Sequence, residues 1–160
     1  MDKQTLPDDF KEFLRLLNDA DVHYLLVGGY AVGYHGYPRA TADMDIWVDK
    51  SPGNAARLVD VFQQFGMQSQ QLTPELFQKS DQIIRMGMPP VRIEVLTDID
   101  GVAFADCYAS RISTEIDGQP VRLIARHHLR MNKQAAGRYK DLDDLENLPG
   151  DEGSEEPRTP

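Results

Sequence analysis

Two glycines and three acids hold the chemistry that can be read in this chain. The apolar run Val22 to Val27 (VHYLLV) ends at Gly28-Gly29, and a second run, Asp43 to Val48 (DMDIWV), opens with alternating aspartates. Side chains two apart on a strand share a face. Asp43 and Asp45 therefore stand side by side, with Trp47 on their face and Met44, Ile46 and Val48 on the other. Two carboxylates ~4 Å apart repel by about 4 kcal/mol at an effective dielectric near 20. A cation between them removes that penalty, and magnesium favours such oxygen ligands together with substrate phosphates. An Asp-x-Asp pair can also simply cap a strand end. The preceding Gly28-Gly29 and the strand register weigh against that, because a bare backbone and a helix start give an anion close approach and free N–H donors, although a tight packing turn accounts for two glycines equally well. The pattern points to a metal-bound nucleotide.

Glu94 lies in the middle of Val91 to Leu96 (VRIEVL), where Ile93 and Val95 take the opposite face. A buried acid without a partner is costly. If this strand lies beside that of Asp43, Glu94 completes a three-carboxylate cluster; on an edge strand it faces solvent. Asp98-x-Asp100-Gly101 reads instead as a turn, since Ala109 stands where a calcium loop needs glutamate. Between Asp117 and Asp141 there is no acid, but there are Arg122, Arg126, Arg130, Lys133, Arg138 and Lys140. Arg126, Arg130 and Lys133 share one helix face, which reads either as a site for the outer phosphates of a triphosphate or as a plain solvated basic face; Arg39, just before the aspartates, is a second candidate for a phosphate contact. The adjacent His127-His128 point apart, His23 and His35 are isolated, and no zinc pattern is present. Tyr30, Tyr34, Tyr37 and Trp47 read as core packing rather than a base-stacking platform.

These residues need a scaffold, and the hydrophobic periods supply one. Helices are expected over Leu6 to Asp19, Tyr30 to His35, Ser51-Pro52 to Gly66 with serine as cap, Ala103 to Arg111, and Arg126 to Ala136. Leu142, Leu145 and Leu148 mark a final helical stripe. Strands are expected at Val22 to Val27 and Asp43 to Val48. Gln82 to Met86 and Val91 to Leu96 join around Gly87-Met88-Pro89-Pro90. Ile112 to Ile116 and Pro120 to Ile124 form a hairpin around Asp117-Gly118. Residues 67–81 give no clear signal. The fold class is α/β (α+β), a mixed β-sheet with helices packed on it. Residues 1–148 form the domain, and 149–160 form an acidic tail too poor in apolar groups to offset its ordering entropy.

With 160 residues, 41% of them hydrophobic, one core is affordable, and a formal charge of -9 argues against a general nucleic-acid coat. Cys107 is the only cysteine, so no internal disulfide forms, and it reads as a small buried hydrophobe. Without a signal-peptide pattern or an apolar run of ~20 residues, the expectation is a cytoplasmic protein with no membrane partner.

Val27-Gly28-Gly29-Tyr30-Ala31 and Arg39-Ala40-Thr41-Ala42-Asp43-Met44-Asp45-Ile46 resemble the first motif of the nucleotidyltransferase superfamily, the DNA polymerase β-like fold. Ile93-Glu94-Val95-Leu96 resembles its third-carboxylate strand. Lys133 to Leu145 (KQAAGRYKDLDDL) resembles the closing segment of the minimal nucleotidyltransferase and AbiEii-like branches. Here Gly29 stands where many members carry serine, thirteen residues separate it from Asp43, and Glu94 stands where aspartate is common. The resemblance implies transfer of a nucleoside monophosphate from an NTP to an acceptor hydroxyl on a protein, RNA or small molecule. Asp43, Asp45 and Glu94 would be the catalytic and metal residues, holding two Mg2+ ions. Gly28, Gly29, Arg39, Thr41 and Lys133 would bind the nucleotide. It implies as an alternative a toxin-antitoxin component that acts by binding a partner protein.

Overall fold

Phe10, Phe13, Leu14 and Leu17 recur at helical spacing, and all four are fully buried on α1 (Asp8–Asp19). Asp8 and Asp9 occupy the first turn, where carboxylates complement the helix dipole. The computed structural model describes residues 4–150, so residues 151–160 of the expected tail lie outside the described residues. The chain continues through β1 (Tyr24–Val27), α2 (Gly28–Tyr34), β2 (Asp43–Val48), α3 (Pro52–Gln64), α4 (Pro74–Gln78), β3 (Ile83–Met88) and β4 (Val91–Leu96). It ends with α5 (Phe104–Ala109), β5 (Ile112–Ile116), β6 (Gln119–Leu123), α6 (Arg126–Ala136) and α7 (Tyr139–Asn147).

The strands form one six-stranded mixed sheet in the order β3-β4-β2-β1-β6-β5. Both hairpins expected from the sequence are present, β3 with β4 and β5 with β6, each antiparallel. β1 and β2 pair antiparallel, whereas β2 with β4 and β1 with β6 pair parallel. The α/β class with helical cover is therefore the observed architecture. The central strands are short and buried: all four residues of β1 are buried, as are Met44, Ile46 and Val48 of β2. Trp47, on the acid-bearing face of β2, is buried edge-on against Phe104, 5.1 Å between ring centres.

Local departures from the expected elements have identifiable causes. α2 starts at Gly28, so the two glycines form its first turn rather than precede it. Ser51 occupies the cap position of α3, but its side chain makes no capping bond. Pro74 starts a short helix inside the segment that carried no clear signal. β3 runs on to Met88, which narrows the turn before β4 to Pro89-Pro90. Gly137 ends α6 in the left-handed conformation at φ 65°, as a C-terminal glycine does.

The final helix is the largest departure. The leucine spacing placed Leu142, Leu145 and Leu148 on the inner face. Leu148 is buried, but Leu142 is 48% exposed, and the residues that α7 buries are Asp141 and Asp144. These two acids are 0% and 1% exposed and turn inward because the buried Lys133 meets both of them there. Cys107 is buried as expected, and burial pushes its thiol up to about 11.

Candidate active site

The sheet register builds the site. On β2 and β4, Asp43 lies opposite Arg92 and Asp45 lies opposite Glu94. On the other side of β2, Val27 is paired with Asp45, so Gly28 comes directly beside that carboxylate. A Cβ on Gly28 would collide with the Asp45 carboxylate, and the residue's φ of 70° independently requires glycine. Gly29 is equally confined: a Cβ there would lie 2.7 Å from Thr41 Oγ1. Thr41 in turn donates its hydroxyl to the Asp43 carbonyl at 3.2 Å. Asp43, Asp45 and Glu94 are thus brought together at the mouth of the glycine turn, and Gly28, Gly29 and Thr41 form one wall of the same cleft of about 450 Å³.

The three acids differ in their surroundings. Arg92 grips Asp43 with two hydrogen bonds of 3.1 and 3.0 Å and reaches Glu94 at 3.6 Å. Arg85, opposite Glu94 on β3, donates Nε to Glu94 at 2.9 Å. Asp45 has no such cation, and its Oδ1 is buried without a hydrogen-bond partner. Burial pushes the Asp45 carboxyl up to about 7, and the charges of Glu94 and Asp43 push in the same direction. Lys140, across the cleft, pulls more weakly the other way.

This donor set suits a hard divalent cation: carboxylate oxygens, one of them buried and unpartnered, crowded where their negative charges oppose one another. Among the described residues, however, no three acids, histidines or cysteines are placed, as they stand, to hold a metal ion together. The two arginines hold Asp43 and Glu94 instead, so a cation must compete with them.

Two of the expected phosphate contacts are already engaged. Arg39 forms a two-bond ion pair with Asp144, both contacts 2.9 Å. Lys133 is 4% exposed and lies 3.2 Å from Asp141 and 3.0 Å from Asp144. Burial acts to raise Asp141, but bonds from Arg138 and Lys133 more than offset this and hold it below the usual carboxylate range. Lys133 and Arg39 line the cleft, yet their charges fasten α7 and the Arg39 loop to α6. The basic face expected on α6 is likewise not a free surface. Arg126 is buried, and Arg130 donates to the carbonyls of Leu145, Leu148 and Pro149.

Of the basic residues near the C-terminus, Arg138 at the cap of α7 and Lys140 in its first turn line the cleft that holds the acids. Arg138 is shared with Asp141 at 2.7 Å. Lys140 is exposed, and its charge is felt at Asp45. Spacing alone singled out the α6 face because it ignores which face the next helix covers. Arg92 was legible: it stands two residues before Glu94 on one strand and so shares its face. Tyr30 and Trp47 serve core packing, as expected, and Tyr37 packs partly against the core, whereas Tyr34 is 40% exposed. Tyr30 is buried, Tyr34 bonds Thr114, and Tyr37 bonds Asp143.

No family model matches the sequence. No curated protein matches it either. Among solved structures, a Thermotoga maritima protein provisionally described as a nucleotidyltransferase superposes with a TM-score of 0.55 at 14% identity, covering 86% of this chain and 88% of that one. An antigenic nucleotidyltransferase-like protein from Paracoccidioides brasiliensis gives 0.50 at 18% identity, covering 89% of this chain and 76% of that one. This chain has the nucleotidyltransferase fold. The mixed sheet and its helical cover are those the first-motif resemblance implied. Among the described residues, no helix is long and apolar enough to cross a membrane.

Proposed function

We propose that the chain is a metal-dependent nucleotidyltransferase that moves a nucleoside monophosphate from an NTP to an acceptor hydroxyl. The observation that carries this reading is the register of Asp45 beside Glu94, with Asp43 on the same face, at a glycine turn too tight for any other residue. Asp43, Asp45 and Glu94 would hold the magnesium ions. When bound, such ions neutralise the triphosphate and stabilise the attacking and leaving oxygens of an in-line displacement.

The chain's own groups have distinct tasks. Gly28 and Gly29 let the backbone approach the phosphates. Lys140 and Arg138 face the acids across the cleft and suit the negative charge that develops on the leaving pyrophosphate. Glu94 accepts the proton of the acceptor hydroxyl. The acceptor oxygen then forms a bond to the α-phosphorus, and the bond from that phosphorus to the bridging oxygen of pyrophosphate breaks. Lys133 and Arg39 act at one remove, holding the α6–α7 corner that carries Arg138 and Lys140.

Incubation with α-labelled NTPs, magnesium and a cell lysate tests the reading. Label should move to protein, RNA or a small molecule, and the transfer should disappear with EDTA and in Asp45→Asn. Transfer that survives in Asp45→Asn overturns the mechanism. No transfer with any NTP or fraction favours partner docking without turnover, as in a toxin-antitoxin pair.

A further inference from the structure

Arg92 is placed to do more than balance charge. It lies opposite Asp43 in the parallel register, two residues from Glu94 on the same strand face, and touches both acids. Its neighbour across the β3–β4 pair is Gly87, which has no side chain to confine the arginine stem. The Arg92 side chain is 31% exposed, so its head can leave without crossing the core. Arg85 holds Glu94 from the outer strand and is 54% exposed. Asp45, opposite Glu94 and two residues from Asp43, keeps a buried oxygen with no partner.

We propose that Arg92 is an exchange residue: it competes with a divalent cation for Asp43 and Glu94, and on its release the same guanidinium binds the triphosphate. This inference rests on the metal-dependent reading above and adds a control to it. A guanidinium and a divalent cation repel each other at contact range, so free metal binds weakly while Arg92 stays on Asp43. A metal that arrives with phosphates supplies a second anion for the planar fork, which suits phosphate as well as carboxylate. Metal and nucleotide therefore strengthen each other's binding, and by linkage the coupling is reciprocal.

The test uses the full chain, with Mn2+ binding followed by electron paramagnetic resonance. Without nucleotide, Arg92→Gln should bind Mn2+ about tenfold more tightly than the unsubstituted chain, the size of a typical coupling between sites. With a non-hydrolysable ATP analogue present, Arg92→Gln should lose most of the gain in Mn2+ affinity that the analogue brings, and Arg92→Lys should keep part of it. A purely structural role predicts the opposite sign, with a loosened site and weaker Mn2+ binding. A second measurement needs no substituted protein to fold well, beyond assignment by Arg92→Lys. In arginine-labelled protein, the Arg92 Nε–H resonance should shift on addition of magnesium and the ATP analogue. Equal or weaker Mn2+ binding by Arg92→Gln, or a resonance that stays fixed while the analogue binds, overturns the exchange. If neither protein binds Mn2+ at all, the metal-dependent reading falls, and the exchange falls with it.

Discussion

Asp45 offers a prediction in which function and stability have opposite signs. Its carboxyl is pushed from the ordinary 3.8 to about 7, first by burial and then by Glu94 and Asp43. Below 3.8 the folded and unfolded chains both carry the proton. Between there and about 7, the folded chain keeps a proton that the unfolded chain has released. Stability therefore falls as pH rises through this window, and above about 7 the loss is complete. At ~1.36 kcal/mol per pH unit, the full loss is about 4 kcal/mol. Asp45→Asn keeps the shape, removes the charge and can donate its amide to Glu94. At pH 8 it should be about 2–4 kcal/mol more stable than the unsubstituted chain, or roughly 6–12 °C in Tm for a chain of this size. The gap should nearly close at pH 4. The assay is thermal unfolding of both proteins from pH 4 to 8.5 in EDTA, because a bound cation would relieve the same repulsion. Adding magnesium at pH 8 should raise the Tm of the unsubstituted chain and leave Asp45→Asn nearly unmoved. An Asp45→Asn protein that is no more stable at pH 8, with a gap independent of pH, would refute the claim that burial and its neighbours strain this carboxylate.

Further substitutions separate the site from its supports. Gly28→Ala should abolish transfer and lower stability by about 1–3 kcal/mol in denaturant unfolding, because a left-handed backbone and the Asp45 carboxylate both oppose a Cβ. Lys133→Met should cost about 3–5 kcal/mol in the same assay, since it leaves Asp141 and Asp144 buried with one fewer cation. Lys140→Ala should leave stability within about 0.5 kcal/mol and raise the KM for NTP roughly tenfold or more, the loss of one charge-assisted phosphate contact. A Lys140→Ala protein with unchanged KM would remove that lysine from the nucleotide site.

The strands of the site were legible because their chemistry is one-dimensional. Alternation on Asp43 to Val48 gave the acid face of β2, and the apolar neighbours of Glu94 gave an acid in the middle of an apolar strand, with interior and edge placement both open. What the sequence left conditional was adjacency. Nothing in the spacing of Asp43 and Glu94 says that β2 and β4 pair in parallel, because that pairing crosses α3, α4 and β3. The helices near the C-terminus misled for a different reason. The periodic cue assumes that apolar groups go inside, and α7 instead buries two aspartates against Lys133, Arg39 and Arg138. A buried ion network inverts the pattern: the cations expected to face a ligand face inward, and Leu142 faces out. A clue was present in the acids Asp141 and Asp144, three apart and so on one helix face, eight and eleven residues beyond Lys133.

The central claim is that the cleft at the glycine turn binds a metal–nucleotide through Asp43, Asp45 and Glu94. Anomalous scattering from crystals grown with Mn2+ and a non-hydrolysable ATP analogue tests it most directly. The account predicts a manganese peak bound by oxygens of these three residues, with the triphosphate running toward Lys140. A nucleotide bound elsewhere, or manganese on other residues while Arg92 and Arg85 still hold Asp43 and Glu94, would contradict it.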